Sequence, residues 1–450
     1  MNHKNHTKHH SHSHPPTANM LTVEDALARI LNLVYVLEET SEELLNSDNL
    51  VLAQDIFSSL NIPSLANSAM DGYAVRAIDT KTATADSPVT LNVLGQVQAG
   101  DLPSLSVSSE AAIRIMTGAP IPEGADSIIP YELTDERNRL ENNTGLDRIQ
   151  IHSPATLGDH VRPPGEDTSI GELALESGYE LNPAGIGLLA ALGLQHVPVI
   201  RRPTVAILAT GNEVQSPGEV LKPGHLYDSN TYGIATAVKR WGGIPKIIGV
   251  ASDDLGDIRQ KILSSLSSDL LITSAGVSGG AYDLVKDVLS ELGTVDFWSV
   301  KMRPAKPIAF GILKNGDRNI PHIGLPGNPV SALVALIEFA RPAIMKMMGK
   351  NARALPTIEA ILDDDIENTD GRRVYARVQL YKQNDKVHAH LTGSQGSNLL
   401  TSMTLANGLA ICPENYSKLA KGDQVVVQLL DWLDHYDILT KPHDISIALR

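Results

Sequence analysis

The stretch LLITSAGVSGGAYD, residues 270–283, decides the fold of the central part of the chain. The apolar run Leu270–Thr273 has the length of one buried strand, and it passes directly into a loop rich in glycine and serine. Helical spacing of apolar residues resumes at Leu284 and predicts a helix to Leu292. Glycines let a backbone approach a ligand closely, and the N-terminus of the following helix favours an anion. This strand–loop–helix unit therefore predicts a site for a phosphate-bearing ligand.

The same alternation of strand and helix continues on both sides of that unit. Strands are predicted at Val205–Ala209 and Lys246–Val250, and helices at Asn230–Trp241 and from Val330 to about Met348. Strands that alternate with helices pair in parallel in a doubly wound sheet. In such sheets ligands bind at the carboxyl ends of the strands. We therefore expect an α/β domain with a ligand site between about Leu181 and Met347.

The flanking regions predict β structure. Short runs separated by Gly, Pro and Asp predict strands at Val89–Val97, Ala111–Met116 and Ser127–Tyr131. The polar segment from Thr134 to Arg148 is predicted to be a loop. Beyond Lys350, further short runs predict a small separate β domain. A chain of 450 residues is too long for one compact core, so two to four domains are expected.

The composition restricts the class of protein. A formal net charge of −15 argues against a nucleic-acid binder, whose affinity depends on Lys and Arg that neutralise phosphates. Cys412 is the single cysteine, which rules out an internal disulfide framework and fits a reducing, cytoplasmic location. No apolar run reaches the roughly 18 residues that a membrane-spanning helix needs. We expect a cytoplasmic protein that binds neither nucleic acid nor membrane.

The N-terminus, MNHKNHTKHHSHSHPP, is rich in histidine. Since nothing in this segment can bury an apolar face, residues 1–20 are predicted to be disordered. Two interpretations stay open: a tail that binds metal only incidentally, or an arm that sequesters divalent transition metals. The histidines concerned are His3, His6, His9, His10, His12 and His14.

Two further loops are predicted at the same sheet edge, one that enters a helix and one that carries groups that bind anions. In GLPGNPVSA, residues 324–332, Asn328 and Pro329 make a favourable N-cap and first helical position. In KMRPAKP, residues 301–307, three cations lie close together, and Arg can hold a phosphate through two hydrogen bonds. The alternative for this loop is a solvated group of charges. The three cations are Lys301, Arg303 and Lys306.

Carboxylates follow the neighbouring strands. TGNEV, residues 210–214, contains Glu213, and Asp253 and Asp254 follow the next predicted strand. Carboxylates beside a basic, glycine-rich anion site suggest Mg²⁺ that bridges to phosphate oxygens. The alternative is that acidic residues stand at helix N-termini because the helix dipole favours them there. Asp283 allows the same two interpretations, as a metal ligand or as a helix cap.

Taken together, these strings resemble the molybdopterin molybdenumtransferase family, the enzymes of the last step of molybdenum cofactor synthesis. The resemblance covers nearly all of the chain from about Leu21 to Leu430, and it is specific because unrelated motifs recur in family order. The motifs are NSAMDGYAV (67–75), TGAPIPEGAD (117–126), RPPGED (162–167), TGNEV (210–214), DSN (228–230), GVSGGAYD (276–283), MRPAKP (302–307), GLPGNPVSA (324–332), GRRVYARV (371–378) and ANGLAICPE (406–414).

Four positions depart from the family pattern. Ala275 and Ala305 stand where the family usually has glycine, which constrains both loops. Arg303 fills a position that is Lys in some members, and Gln395 interrupts a GSG-like turn. Because none of these changes removes a charged group, we expect the activity to be retained.

The resemblance implies a multidomain α/β protein. Its centre would be a doubly wound α/β/α molybdopterin-binding domain, residues 191–347, followed by a small C-terminal β-barrel domain, residues 348–450. The N-terminal half would be rich in β structure. Residues 61–159 would form one domain there, and residues 21–60 with 160–190 would form a linker and dimerisation domain.

The resemblance also implies a reaction. Adenylylated molybdopterin would bind, molybdate would enter its dithiolene as a co-substrate, and the pyrophosphate link would be hydrolysed with release of AMP. The resemblance implies that the oxyanions are neutralised by Lys301, Arg303 and Lys306. It implies that Mg²⁺ is held, or the attacking water oriented, by Glu213, Asp253 and Asp283. The residues implied to bind the substrate are Ser274, Gly276, Ser278, Gly280, Pro326, Asn328, Pro329 and Ser331.

By the same resemblance, part of the site comes from a second subunit. Asp71 and Thr117 would reach it from the other chain of an elongated homodimer, and Arg162 and Asp167 would line the same cleft. From the residues alone, the Asp-Gly pair in MDGYA is equally well a turn. The resemblance further implies contact with the molybdopterin adenylyltransferase that makes the substrate.

Two other functions compete with this interpretation. One is the adenylyltransferase itself, whose fold is similar to residues 181–347, but that reading leaves the flanking regions unexplained. Consumption of ATP distinguishes it. The other is a scaffold that binds partner proteins and merely retains a pterin-binding domain, which the retained acidic loop residues disfavour.

Overall fold

The computed structural model describes residues 20–277, 284–351 and 354–430. The chain forms two compact units. The β-rich unit comprises Ser41–Val199, and the α/β–barrel unit comprises the described residues up to Thr40 and from Ile200 onward. The His-rich tail and three predicted site residues, Ser278, Gly280 and Asp283, lie outside the described residues, and their roles stay predictions.

The described chain contains α-helices and β-strands with the following bounds. The helices are α1 (Val23–Leu33), α2 (Ala77–Thr80), α3 (Glu136–Glu141), α4 (Pro183–Ala191), α5 (Asn230–Arg240), α6 (Leu255–Ser265), α7 (Leu284–Leu292), α8 (Pro329–Ala335), α9 (Arg341–Met347) and α10 (Leu400–Thr404). The strands are β1 (Glu39–Glu43), β2 (Ile56–Phe57), β3 (Asn67–Ser68), β4 (Gly72–Val75), β5 (Val89–Val97), β6 (Ala111–Ile115), β7 (Ser127–Pro130), β8 (Arg148–Ile151), β9 (Val161–Arg162), β10 (Leu173–Leu175), β11 (His196–Ile200), β12 (Thr204–Thr210), β13 (Val214–Gln215), β14 (Leu226–Tyr227), β15 (Ile244–Ala251), β16 (Leu270–Ser274), β17 (Gly293–Ser299), β18 (Met302–Arg303), β19 (Pro307–Asn315), β20 (Arg318–Leu325), β21 (Thr357–Leu362), β22 (Ile366–Glu367), β23 (Arg373–Gln383), β24 (Lys386–Leu391), β25 (Gly408–Cys412), β26 (Lys418–Leu419) and β27 (Gln424–Leu429).

The β-rich unit is built on a five-stranded sheet in the order β7-β4-β6-β5-β8. Its strands confirm the predictions for β5, β6 and β7 within one residue. Buried apolar side chains cover both faces, with Tyr73 and Ile149 on one side and Ile113 and Ile128 on the other. The alternation of side chains along each strand explains why one sheet supports two cores.

The prediction of a loop from Thr134 to Arg148 was wrong, because helix α3 lies within it. The helix has almost no apolar periodicity. It is held instead by Glu136, which is 3% exposed and binds Arg114 and Tyr73 of the sheet. A helix that is fixed by partners far away in sequence leaves no local pattern to detect.

The α/β–barrel unit contains a six-stranded sheet in the order β15-β12-β16-β20-β19-β17. The first four strands are parallel, as the alternation of strand and helix predicted. Strand β19 is antiparallel to both β20 and β17, so the sheet is mixed at this edge. The reason is a hairpin between Asn315 and Arg318, where Gly316 has φ 59°. The Asn-Gly pair at residues 315 and 316 is typical of a hairpin turn, and it was not included in the sequence analysis.

Helices on the two faces of this sheet begin and end where the sequence indicates. Thr22 caps α1 by accepting a hydrogen bond from the Asp25 amide at 3.0 Å. The long apolar helix predicted from Val330 is confirmed as α8 and α9, which a π-helical turn at Leu336–Ala340 joins. No helix of the described chain is long and apolar enough to cross a membrane.

Beyond the sheet, five strands close into a small barrel. Their order is β23-β24-β21-β27-β25, and β23 pairs with β25 to complete the circle. Aliphatic side chains such as Val378, Ala389 and Val427 fill the interior and are fully buried. Strand β18 of the cation-bearing loop adds to β23 in parallel, so the barrel holds that loop directly.

Candidate functional site

A cavity of about 980 Å³ opens at the carboxyl-end edge of the six-stranded sheet. Strands β12, β16 and β20 are parallel neighbours, with Ala209, Ser274 and Leu325 paired across them. The loops that follow these strands therefore leave the sheet side by side. The predicted site residues that line the cavity are Glu213, Ser274, Gly276, Arg303, Lys306, Pro326, Asn328, Pro329 and Ser331.

The loop after β16 turns through two successive residues with left-handed backbone. Ala275 has φ 75° and Gly276 has φ 72°. A Cβ on Gly276 would lie 2.8 Å from the side chain of Val285 in α7, so only glycine fits at this position. Ser274, which precedes the turn, is 2% exposed. The loop thus brings backbone and a buried hydroxyl to the cavity surface, as an oxyanion requires.

Two arginines face the cavity and share one carboxylate. Arg303 lies 3.7 Å from the carboxylate of Asp370, and its guanidinium also donates to the Glu367 carbonyl. Arg372 donates through Nε to the same carboxylate at 2.9 Å. Burial raises the pKa of Asp370, but the bonds from Arg372 and the charge of Arg303 outweigh it and hold this pKa below its usual range. The shared carboxylate leaves excess positive charge at the cavity wall.

Sequence reasoning missed Arg372 as a cavity residue and expected Lys301 to be one. Among the described residues, the cavity lining includes Arg372 and Lys306 but not Lys301. The backbone of Lys301 is occupied in bonds to Leu21 and Arg373. The two adjacent arginines in GRRVYARV were the sequence feature that could have indicated Arg372 as an anion-binding residue. They were used only as part of the family resemblance.

The acidic residues are distributed over two loops. Glu213 lines the cavity, and its carboxylate folds back over Gly211, where a Cβ would lie 2.7 Å from it. The carboxylate of Asp253 accepts a hydrogen bond from the backbone N–H of Asn212 in the neighbouring loop at 3.3 Å. Asp253 is not among the described residues that line the cavity. Asp228, which the prediction omitted, is 6% exposed and does line it. In the described ranges, no group of three or more His, Cys, Asp or Glu residues is arranged to hold a metal ion.

One wall of the cavity comes from the barrel. Gln395 forms two hydrogen bonds with the backbone of Arg377, accepting from N at 2.8 Å and donating to O at 3.2 Å. Its neighbour Ser397 accepts from the Asn328 amide at 3.1 Å. Gln395 therefore braces this turn, whereas the sequence suggested only that it interrupts one.

Arg377 anchors the same turn from inside the barrel. It is 1% exposed, and its guanidinium donates to the Ser402 hydroxyl at 3.1 Å and to the Gly396 carbonyl at 3.0 Å. Burial lowers the pKa of Arg377 to about 10. A buried cation with neutral acceptors adds to the positive potential beside the cavity.

A second group of predicted residues lies in the β-rich unit. The carboxylate of Asp71 accepts two hydrogen bonds from Thr117, from the amide at 2.6 Å and from the hydroxyl at 2.8 Å. These two bonds lower the pKa of Asp71. The pair forms because β4 and β6 are antiparallel partners and end side by side. Asp71 and Thr117 are thus one structural feature of the β-rich unit.

Arg162 and Asp167 lie on the following segment of the same unit. Arg162 ends strand β9, which pairs with Asn67 of β3, and its side chain is 3.9 Å from Glu166 and about half exposed. The amide of Asp167 donates to the Ile62 carbonyl. Both belong to the unit that carries Asp71 and not to the unit that carries the cavity.

Arg114 and Tyr73 form a buried network directly behind the Asp71–Thr117 pair. The Tyr73 hydroxyl donates to Glu136 at 2.5 Å, and Arg114 donates to the other carboxylate oxygen at 2.7 Å. Burial raises the pKa of Glu136, but hydrogen bonds from Arg114 and Tyr73 lower it on balance. The network stays ionised and fixes α3 against the sheet.

Comparison with known proteins covers most of the chain. Three family models match: "MoeA N-terminal region (domain I and II)" over residues 21–193, "Probable molybdopterin binding domain" over residues 206–346, and "MoeA C-terminal region (domain IV)" over residues 359–430. Molybdopterin molybdenumtransferase 2 of Mycobacterium tuberculosis is 37% identical over 417 residues, which is 91% of this chain and 99% of that one. Molybdopterin molybdenumtransferase of Haemophilus influenzae is 33% identical over 91% of this chain and 98% of that one. A crystal structure of the molybdopterin biosynthesis moeA protein from Pyrococcus horikoshii matches with a TM-score of 0.76 at 31% identity, covering 91% and 99% of the two chains.

Proposed function

The chain belongs to the molybdopterin molybdenumtransferase family, and from that premise we propose that it inserts molybdate into adenylylated molybdopterin with release of AMP. The observation that carries the proposal is the composition of the large cavity. A left-handed glycine turn, two arginines and Glu213 surround one space of about 980 Å³. That space accepts a ligand with several oxyanions, and the substrate offers a pyrophosphate link and molybdate.

Different residues of the cavity bind different parts of the substrate. The turn at Ala275 and Gly276, with the Ser274 hydroxyl, holds the pyrophosphate link. Arg303 and Lys306 neutralise the charge that develops on the phosphate oxygens as the link breaks. In that step water forms a bond to phosphorus, the bridging P–O bond breaks, and AMP leaves. Ser278, Gly280 and Asp283 remain predicted members of the same site.

The carboxylates suit Mg²⁺, which prefers one or two carboxylates together with phosphate oxygens and water. Glu213 at the cavity wall is a hard oxygen donor within the same space as the cations. Glu213 would contribute one oxygen ligand to such an ion, whose charge would stabilise the phosphate oxygens. We assign Glu213 and the predicted Asp283 to hold it, and Asp253 to orient water or the Glu213 loop through Asn212.

Asp71 and Thr117 complete the site from a second copy of the chain in a homodimer. Support comes from the tight Asp71–Thr117 pair, which positions a carboxylate and a hydroxyl at the ends of two strands. Asp71 is an exposed carboxylate that is held in one place, as a group that acts on a bound substrate must be. Arg162 and Asp167 belong to the same contribution.

The activity test follows AMP. The purified chain is incubated with adenylylated molybdopterin, Mg²⁺ and molybdate, and AMP is measured with and without each component. We expect AMP release that depends on molybdate and needs no ATP. Release that is independent of molybdate, or consumption of ATP, would contradict the proposal and favour the adenylyltransferase.

The shared site has its own test. Asp71→Asn and Glu213→Gln each abolish AMP release as single variants, because each removes a carboxylate from every site of its own homodimer. Mixed dimers of the two variants contain one site with both carboxylates intact. We therefore expect the mixture to regain up to about a quarter to a half of the activity. Normal thermal unfolding of each variant is the control, and no recovery in a verified heterodimer would contradict the shared site.

We further propose that the chain works in the cytoplasm and receives its substrate from the molybdopterin adenylyltransferase by direct contact.

Deletion of residues 1–16 in the AMP assay tests the His-rich arm. Unchanged AMP release supports a tail without a role in the reaction. Weaker binding of Ni²⁺ or Zn²⁺ by the deleted chain would support the arm that sequesters metal.

A further inference from the structure

The side chain of Asn230 lies between the two loops that form the anion-binding side of the cavity. Its amide nitrogen donates to the Ser274 hydroxyl at 2.7 Å and to the Gly327 carbonyl at 2.8 Å. A carbonyl oxygen only accepts, so the atom that faces Gly327 must be the amide nitrogen. The same nitrogen has one further proton, and that proton is directed to Ser274. Both protons of this amide are therefore committed.

This arrangement determines what the Ser274 hydroxyl can do. A hydroxyl that accepts one hydrogen bond keeps its own proton to donate. Ser274 is 2% exposed, stands at the end of the central strand β16, and lines the cavity. Its proton is accordingly available to a ligand oxygen in the cavity.

We propose that Asn230 is a positioning residue that fixes the Ser274 hydroxyl as a donor to an oxyanion of the substrate and ties the loop after β16 to the loop after β20. The inference rests on the proposed function and adds to it a residue that does not itself bind the anion. The two loops are already close, since a Cβ on Gly327 would lie 3.4 Å from that of Ala275. Asn230 is the first residue of α5, so the helix holds its backbone in place.

A double-mutant cycle on the affinity for ADP tests the proposal. ADP carries the adenosine and the diphosphate that adenylylated molybdopterin also contains. Ser274→Ala removes a hydrogen bond to a charged oxygen and should weaken binding roughly 10-fold or more. Asn230→Ala should weaken it by about 5- to 10-fold, because the hydroxyl then turns to other acceptors. The double variant should bind within about threefold of Ser274→Ala, since Asn230 acts through Ser274.

A charge-changing variant keeps the test independent of folding defects. Asn230→Asp has nearly the same shape, but its carboxylate accepts the Ser274 proton and cannot donate to Gly327. It should weaken ADP binding more than Ser274→Ala does. Asn315→Ala is the matched control, because the Asn315 amide donates to the Leu266 carbonyl at 3.1 Å at the opposite end of the sheet. That control should leave affinity unchanged.

The outcomes separate this inference from the proposed function. Effects of Asn230→Ala and Ser274→Ala that multiply to about 50- to 100-fold in the double variant would mean that the two residues act independently and would overturn the inference. Unchanged ADP binding by Asn230→Asp would overturn it as well. A wild-type chain that binds no ADP and releases no AMP would instead contradict the proposed function.

Discussion

Two alanines show how single residues in this site are placed under strain. Ala275 and Ala305 both have left-handed backbone, with φ 75° and 73°. An L-residue with a Cβ is disfavoured there by roughly 1–2 kcal/mol, whereas glycine is not. These are the two positions at which the sequence departs from the glycine of the family pattern. The departures keep the loop conformation and lower the stability.

Replacement of Ala275 by glycine should therefore stabilise the protein. Relief of strain exceeds the entropy that glycine adds to the unfolded chain, and we expect a gain of about 0.5–1 kcal/mol in the free energy of unfolding. Thermal unfolding measures it. Ala28→Gly, in the exposed middle of helix α1, is the matched control and should lose about 1 kcal/mol. A loss in both variants would show that the backbone at Ala275 is unstrained.

Elements in this fold are often held by one polar network. Helix α3 is the example, because Glu136 joins it to Arg114 and Tyr73 of the sheet behind Asp71. The helix has only six residues, too few to be stable by itself. Its position therefore depends on a carboxylate that is nearly buried.

Loss of that carboxylate should be costly. Glu136→Ala leaves the partly buried Arg114 without its counter-charge, and we expect a loss of about 3 kcal/mol in the free energy of unfolding. Arg139→Ala in the same helix removes an ion pair with Asp135, but Asp135 keeps a hydrogen bond from the Gln150 backbone amide, so the loss should be smaller, about 1 kcal/mol. Denaturant unfolding compares the two. Equal losses would show that burial does not set the strength of the Glu136 network.

A second polar contact joins the long helix to the barrel. Glu338, in the π-helical turn, accepts from Gln428 at 2.9 Å and from Tyr375 at 3.2 Å. Burial raises the pKa of Glu338 despite these bonds. The folded protein consequently holds the Glu338 proton more tightly than the unfolded chain does, and the stability falls as the pH rises from about 4.3 toward the raised pKa.

Glu338→Gln removes this titration and nearly preserves the shape of the side chain. Its stability relative to the wild type should increase with pH above about 4.3, by at most about 1.4 kcal/mol per pH unit, and level off above the folded pKa. Unfolding measured from pH 4 to pH 8 tests this. Glu359→Gln, on an exposed barrel position, is the control and should show no such trend. A difference that shrinks with rising pH would contradict the assignment.

At the scale of the whole molecule, local patterns predicted the strands and helices that bury apolar faces. Capping residues and glycine loops also predicted which loops meet at the cavity, because parallel strands end at one edge. Partners from distant segments were not predictable: α3 depends on Arg114, and Arg372 reaches the cavity only because β18 pairs with β23. Asp253 is a further example, since its position after a predicted strand did not reveal that its carboxylate accepts a hydrogen bond from the Asn212 backbone.

The barrel wall of the cavity has a consequence for the making of the protein. Arg372, Gln395 and Ser397 come from the barrel and close a space whose other walls come from residues between Ala209 and Ser331. During translation the sheet and its anion loop emerge from the ribosome before the barrel does. A nascent chain that ends before the barrel turn therefore lacks one wall of the cavity. A reactive substrate is therefore enclosed only by polypeptides that have been synthesised past the barrel turn.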